Sequence, residues 1–154
     1  MIERKTRECD GCTKCCEGWA TGEAHGHKFY PGRKCFFVGE RGCTIYKDRP
    51  REPCVNFKCQ WLINNDIPEW MKPNLVNVIL VEENKNNIKY ITVKEAGSPL
   101  DSSVLSWLFQ EYLSGRISNI RYELNGGWNF IGTPDFINLM TGSIPPINKT
   151  KRLL

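Results

Sequence analysis

From Val76 onward apolar and polar positions follow regular periods, and each period names an element. Val76 to Glu82 and Ile88 to Lys94 are β-rich runs on either side of Asn84-Lys85-Asn86-Asn87, which predicts a hairpin with a polar tip. Asp101 to Leu113 then places Val104, Leu105, Leu108, Tyr112 and Leu113 at helical spacing, with Asp101 or Ser102 as the cap and Gly115 as the stop. Ile120, Tyr122 and Leu124 alternate with polar residues up to Asn125-Gly126, a strong two-residue turn signal, and Trp128 to Ile131 return as a second hairpin. Thr133-Pro134 opens a short helix that runs through Met140 to Gly142. The order strand, strand, helix, strand, strand, helix predicts an α+β region over residues 63–144, built on an antiparallel sheet covered on one face.

The first 62 residues show neither period. Gly11, Gly18, Gly22, Gly26, Gly32, Gly39 and Gly42 interrupt any helix longer than two turns, so this segment reads as a loop-rich module. Its one helical pattern is Pro53 to Leu62, with Val55, Phe57, Trp61 and Leu62 as the apolar side. Residues 64–73, with two prolines, read as irregular connector, and residues 145–154, with Lys149, Lys151 and Arg152, as a basic tail.

Composition changes this picture at one point. All eight cysteines fall between Cys9 and Cys59, and the last 95 of the 154 residues contain none. Charge is distributed in the same way. Residues 1–62 carry 12 Lys and Arg against 8 Asp and Glu, and residues 63–154 carry 9 against 9, so the whole net charge of +4 lies with the cysteines. Thiolates binding metal would offset it, since a four-thiolate zinc site or a four-thiolate [4Fe-4S] cluster carries a formal charge of about −2. Four disulfides would require export, whereas the charged start of the chain predicts no signal peptide. Cys15 and Cys16 are adjacent, and Cys9, Cys12 and Cys15 recur at every third residue, a crowding that suits a shared metal better than disulfide geometry. A reducing, cytoplasmic compartment follows. No apolar run approaches the roughly 18 residues of a membrane helix, and without a dense Lys/Arg run the charge argues against a nucleic-acid partner.

Written out, the cluster is Cys9-x2-Cys12-x2-Cys15-Cys16, then Cys35, then Gly42-Cys43-Thr44-Ile45-Tyr46-x2-Arg49-Pro50-x2-Pro53-Cys54-x2-Phe57-x-Cys59. Over residues 9–62 this resembles the YkgJ-like (CxxCxxCC) cysteine-cluster family, whose members are described as zinc- or iron-chelating domain proteins. The resemblance implies metal or cluster binding through the eight cysteines, and leaves residues 63–154 outside it. A similar signature accompanies flagellin lysine methyltransferases, but this chain has no room for a methyltransferase domain and no G-x-G-x-x-G loop, so catalysis does not carry over.

Spacing bears on the metal. Three cysteines as Cys-x2-Cys-x2-Cys with a distant fourth beside proline is the bacterial-ferredoxin manner of holding [4Fe-4S], which Cys9, Cys12 and Cys15 match, with Cys54 or Cys59 as the remote ligand. Cys16 disturbs that spacing, and zinc is the alternative. Arg49, Tyr46 and Phe57 are expected around the sulfurs, the guanidinium offsetting their charge and the aromatic rings excluding water. His25 and His27 read as a surface loop with no ligand role, and Trp19, Trp61, Trp70, Trp107 and Trp128 as packing residues. No nucleophile elbow, phosphate loop or His-Glu-x-x-His motif is present. The expectation is a metalloprotein whose centre is mainly structural and supports a surface for another protein, centred on Trp70 and Met71. Iron–sulfur redox or cluster-dependent enzyme chemistry is the alternative, with metal storage or sensing as a third class.

Overall fold

The computed structural model describes residues 6–9, 11–17, 21–30 and 32–142. Trp19 and the tail from 145 lie outside the described residues. The α+β expectation holds: a four-stranded sheet with helices fills the second half, and two small hairpins lie among the cysteines.

The sheet is built from β5 (Val78–Lys85), β6 (Ile88–Glu95), β7 (Ile120–Leu124) and β8 (Gly127–Ile131), hydrogen-bonded in that order. Both hairpins turn on two residues with positive φ, Asn86 (53°) with Asn87 (62°) and Asn125 (51°) with Gly126 (79°). This is the left-handed pair whose twist matches that of the flanking strands, and asparagine and glycine tolerate it best. The first hairpin is therefore longer than expected, because Asn84 and Lys85 pair with Lys89 and Ile88 instead of forming the tip.

Each hairpin is antiparallel internally, but β6 and β7 meet in parallel, with Ile91 opposite Ile120 and Val93 opposite Tyr122. A parallel pair needs a long crossover, which is supplied by α3 (Ser102–Leu113). Asp101 caps that helix by accepting the Ser103 N–H at 2.8 Å, as the sequence predicts. Val104 and Leu108 of α3 are buried against Val78, Leu80, Val93 and Ile120 in the main core. Leu113, counted among the apolar positions in sequence, is 80% exposed.

The sheet is covered on both faces, not one. Strand alternation turns Tyr90 away from its neighbour Ile91, which packs against the α3 core. On that opposite side Phe136 of α4 (Pro134–Thr141) sits 5.3 Å from the Tyr90 ring, with Thr133 capping the helix through the Phe136 N–H. Asn119 ties these pieces together. Its side-chain amide donates to the Lys89 carbonyl (3.0 Å), and its oxygen accepts the Thr133 N–H (2.9 Å).

Three expectations are corrected near the junction. Pro53 to Leu62 is not one helix: Arg51–Val55 is kinked at Glu52 (φ −106°, ψ 129°), the chain extends at Cys59 (φ −67°, ψ 158°), and α1 covers only Gln60–Ile63. Five residues of helix would rotate Cys54 and Cys59 about 140° apart, whereas the break lets both thiols line one cavity. Val55 and Phe57 are consequently exposed, and only Trp61 and Leu62 pack against the core. The connector also carries structure. A turn over Glu69–Met71 and a short helix α2 (Pro73–Val76) bury Ile67 and Met71. Met71, at 0% exposure, is core rather than surface, while Trp70 stays 43% exposed. Trp61, two residues beyond the last cysteine, is 6% exposed within the sheet's own core, so the cysteine module and the sheet share one apolar cluster.

Candidate metal centre

The cysteine module is wound by short-range turns. The Cys12 N–H donates to the Cys9 carbonyl and the Cys16 N–H to that of Thr13, both at 2.9 Å, which folds the opening run into two successive tight loops. Hairpin β1 (Gly22–Ala24) with β2 (His27–Phe29) supplies Ala24 and Phe29, which with Cys35 form the module's small buried core. Cys35 is fastened to the opening run by its N–H, 2.7 Å from the Cys16 carbonyl. A second hairpin, β3 (Val38–Gly39) with β4 (Gly42–Cys43), presents Cys43. This hairpin lies against the first loop through two glycines: a Cβ at Gly42 (φ +115°) would stand 3.0 Å from the Gly11 Cα. Only glycine combines that φ with that approach, and the contact brings Cys43 to the Cys9–Cys12 loop.

The eight cysteines are free thiols, and they line two adjoining cavities. One, of about 140 Å³, is bordered by every cysteine except Cys59 and walled by Phe29, Phe37, Val38 and Ile45. The other, of about 240 Å³, is bordered by Cys9, Cys12, Cys15, Cys54 and Cys59, with Arg7, Lys14 and Ile79. Among the described residues, however, no three Cys, His, Asp or Glu side chains are placed to hold one metal ion. The thiols ring space rather than converge on a point.

The thiols are not electrostatically alike. Burial pushes Cys12 up, against hydrogen bonds from the Lys14 and Asn74 backbone, and pushes Cys59 up to about 11 against one from Leu62. Cys54 is raised by burial and by Cys35, Cys15 and Cys43. The adjacent pair splits. Cys16 is raised chiefly because it shares a hydrogen bond with Cys15, and Cys15 is lowered by that same bond, which outweighs its own burial with help from Arg49. Within this pair Cys15 is the thiol that ionises more readily.

Tyr46, Arg49 and Phe57 all border both cavities, where the sequence placed them. The Arg49 guanidinium lies 3.8 Å from the Tyr46 ring centre, its Nε donates to the Tyr46 carbonyl at 2.8 Å, and its charge favours the thiolates of Cys15 and Cys54. The Tyr46 phenol is raised by burial and by Cys9, with which it also hydrogen-bonds. His25 and His27 border neither cavity. His25 pairs with the Asp48 carbonyl (2.9 Å), and His27 stacks on Phe36 with ring centres 4.3 Å apart.

Arg7, Asn74 and Ile79 border or support the site without any sequence signal. Arg7 donates to the carbonyls of Trp61 (2.7 Å), Asn64 (3.1 Å) and Ile67 (2.6 Å), and its guanidinium lies 4.7 Å from the Trp61 ring centre. An arginine two residues before a cysteine looks like ordinary surface charge until the chain returns 54 to 60 residues later.

Comparison with protein-family models, with curated proteins and with solved structures found no match. Among the described residues no helix is long and apolar enough to cross a membrane.

Proposed function

We propose that this chain is a cysteine-ligated metalloprotein of the YkgJ-like kind. Its centre, a [4Fe-4S] cluster ahead of zinc, is mainly structural and stiffens a surface that binds another protein in a reducing, cytoplasmic compartment. The observation that carries the reading is that seven of the eight thiols border one cavity of about 140 Å³. Such a module gains from the metal, because among the described residues its own small core buries Ala24, Phe29 and Cys35 alone. A core that small does not offset the entropy of ordering some fifty residues, whereas metal–thiolate bonds contribute on the order of 10 kcal/mol.

The spacing of the thiols favours the cluster: Cys9, Cys12 and Cys15, with Cys54 or Cys59 as a remote ligand, follow the bacterial-ferredoxin manner of holding [4Fe-4S]. For the interaction surface, Val55 and Phe57 border the larger cavity and are exposed, and Phe36, stacked on His27, is 72% exposed.

A redox role is the second reading, favoured by Arg49 beside Cys15 and Cys54, since a cation near the sulfurs stabilises the reduced, more negative state. When bound, a cluster takes up and returns an electron; zinc does not.

The test is anaerobic purification of the whole chain, followed by a visible spectrum and elemental analysis. Iron and sulfide in equal amounts with a broad visible band support the cluster. Colourless protein with bound zinc moves the centre to zinc and removes the redox reading. Protein carrying neither metal sinks the proposal.

A further inference from the structure

Resting on the metalloprotein reading above, we propose that the eight thiols form two centres, one holding Cys59 with three of Cys9, Cys12, Cys15 and Cys54, the other holding Cys16, Cys35 and Cys43 with the fourth. The two cavities supply the first division. Cys59 borders only the larger, and Cys16, Cys35 and Cys43 border only the smaller. Cys9, Cys12, Cys15 and Cys54 stand in the wall between them.

The count of ligands narrows the rest. Cys59 has only the four thiols of the shared wall to join it, so its centre takes three of them, and Cys16, Cys35 and Cys43 take the fourth. The backbone agrees: the Cys12 N–H to Cys9 carbonyl bond keeps those two together, and the Cys35 N–H to Cys16 carbonyl bond joins two members of the second set.

The two sets lie in different surroundings. The first faces Arg7 and Lys14 and reaches Ile79 of β5, so it sits where the module meets the sheet. The second is enclosed by Phe29, Phe37 and Ile45 within the module. Two four-thiolate centres, each of formal charge about −2, also match the surplus of four positive charges carried by residues 1–62. Four thiols border both cavities, which places the two centres side by side.

The test counts metal in the whole chain, purified anaerobically, with native mass spectrometry and analysis of iron, sulfide and zinc. Two centres predict about eight iron and eight sulfide, or about two zinc, per chain. Cys59→Ser and Cys43→Ser should each keep half of that content, and the double variant none. A wild-type chain with one centre overturns the proposal while leaving the metalloprotein reading intact, and so does complete loss of metal from both single variants in folded protein. Should either variant fail to fold, the wild-type count decides alone. A wild-type chain with no metal sinks both readings.

Discussion

Replacing Arg7 by alanine removes three hydrogen bonds and a ring contact at once, so its cost can be worked out from the geometry. Two of the carbonyls it serves, those of Trp61 and Asn64, lie at α1, a four-residue helix whose last carbonyls have no partner within the helix. The third, that of Ile67, lies in the connector that leads to buried Met71. Hydrogen bonds from a charged donor are worth about 1.5–3 kcal/mol each in mutational series. The three bonds are part-buried and share one side chain, so about 1 kcal/mol apiece is the discounted figure. Stacking on Trp61 adds about 0.5–1 kcal/mol. Arg7→Ala should therefore cost about 3.5–4 kcal/mol, which at about 3 °C per kcal/mol for a chain of this size lowers the Tm by roughly 10–12 °C. Arg7→Lys keeps the charge but loses the fork, and should recover no more than about a third of the loss. The assay is urea unfolding followed by tryptophan fluorescence, with both proteins matched in metal content. A loss below about 0.5 kcal/mol, within the range of ordinary surface substitutions, or a lysine variant equal to wild type would refute the reasoning.

Four further outcomes are expected. Gly42→Ala forces a side chain onto a backbone at φ +115° and against Gly11; it should cost about 2 kcal/mol or more and reduce the metal content, checked by thermal melts and metal analysis. Asn119→Ala leaves the Lys89 carbonyl and Thr133 N–H without their partner and should cost about 1–3 kcal/mol while metal per folded chain stays the same. Burial works against ionisation of Glu95, but the N–H groups of Gly126, Leu100 and Asn125 outweigh it and hold the carboxyl below its ordinary value of 4.5. A lowered pKa stabilises the fold above the unfolded-state pKa and is lost as pH falls through the folded one, so Glu95→Gln should lower stability by about 1 kcal/mol near neutrality and converge with wild type in acid unfolding series. Arg49→Gln removes the cation beside Cys15 and Cys54; metal affinity in chelator competition should fall roughly 10- to 100-fold, with Arg49→Lys in between.

Much of the sheet half was legible because its signals are local. Asn125-Gly126 names its own turn, Asp101 its own cap, and alternation over Ile120 to Leu124 its own strand. The parallel meeting of β6 and β7 was not legible, since no residue in either hairpin records which edge of the other it will join. The same division runs through the site. Cysteine spacing picked out the side chains that ring the cavities, together with Tyr46, Arg49 and Phe57. It did not foresee the break between Cys54 and Cys59, because the apolar positions there fit a helix and only the requirement to bring two thiols to one wall ends it. Met71 was misplaced for a related reason: beside exposed Trp70 its burial depends on α3 and the sheet, not on its neighbours. Arg7 acts wholly at long range and left no local trace.

The two-residue turns at Asn86-Asn87 and Asn125-Gly126 also set an order of assembly. Hairpins closed by such turns form within about 1–10 μs, because they join chain neighbours. The parallel β6–β7 pair must wait for the α3 crossover, and Arg7's bonds must close loops of 54 to 60 residues, both slow steps by comparison. Cys59 stands two residues before Trp61, which is buried in the sheet's own core, so closing the cysteine cavities depends on that core. If the cavities hold metal as proposed, a chain short of it would have its cysteine loops open, a target for proteases and chaperones, and metal supply would set the protein's abundance as well as its state.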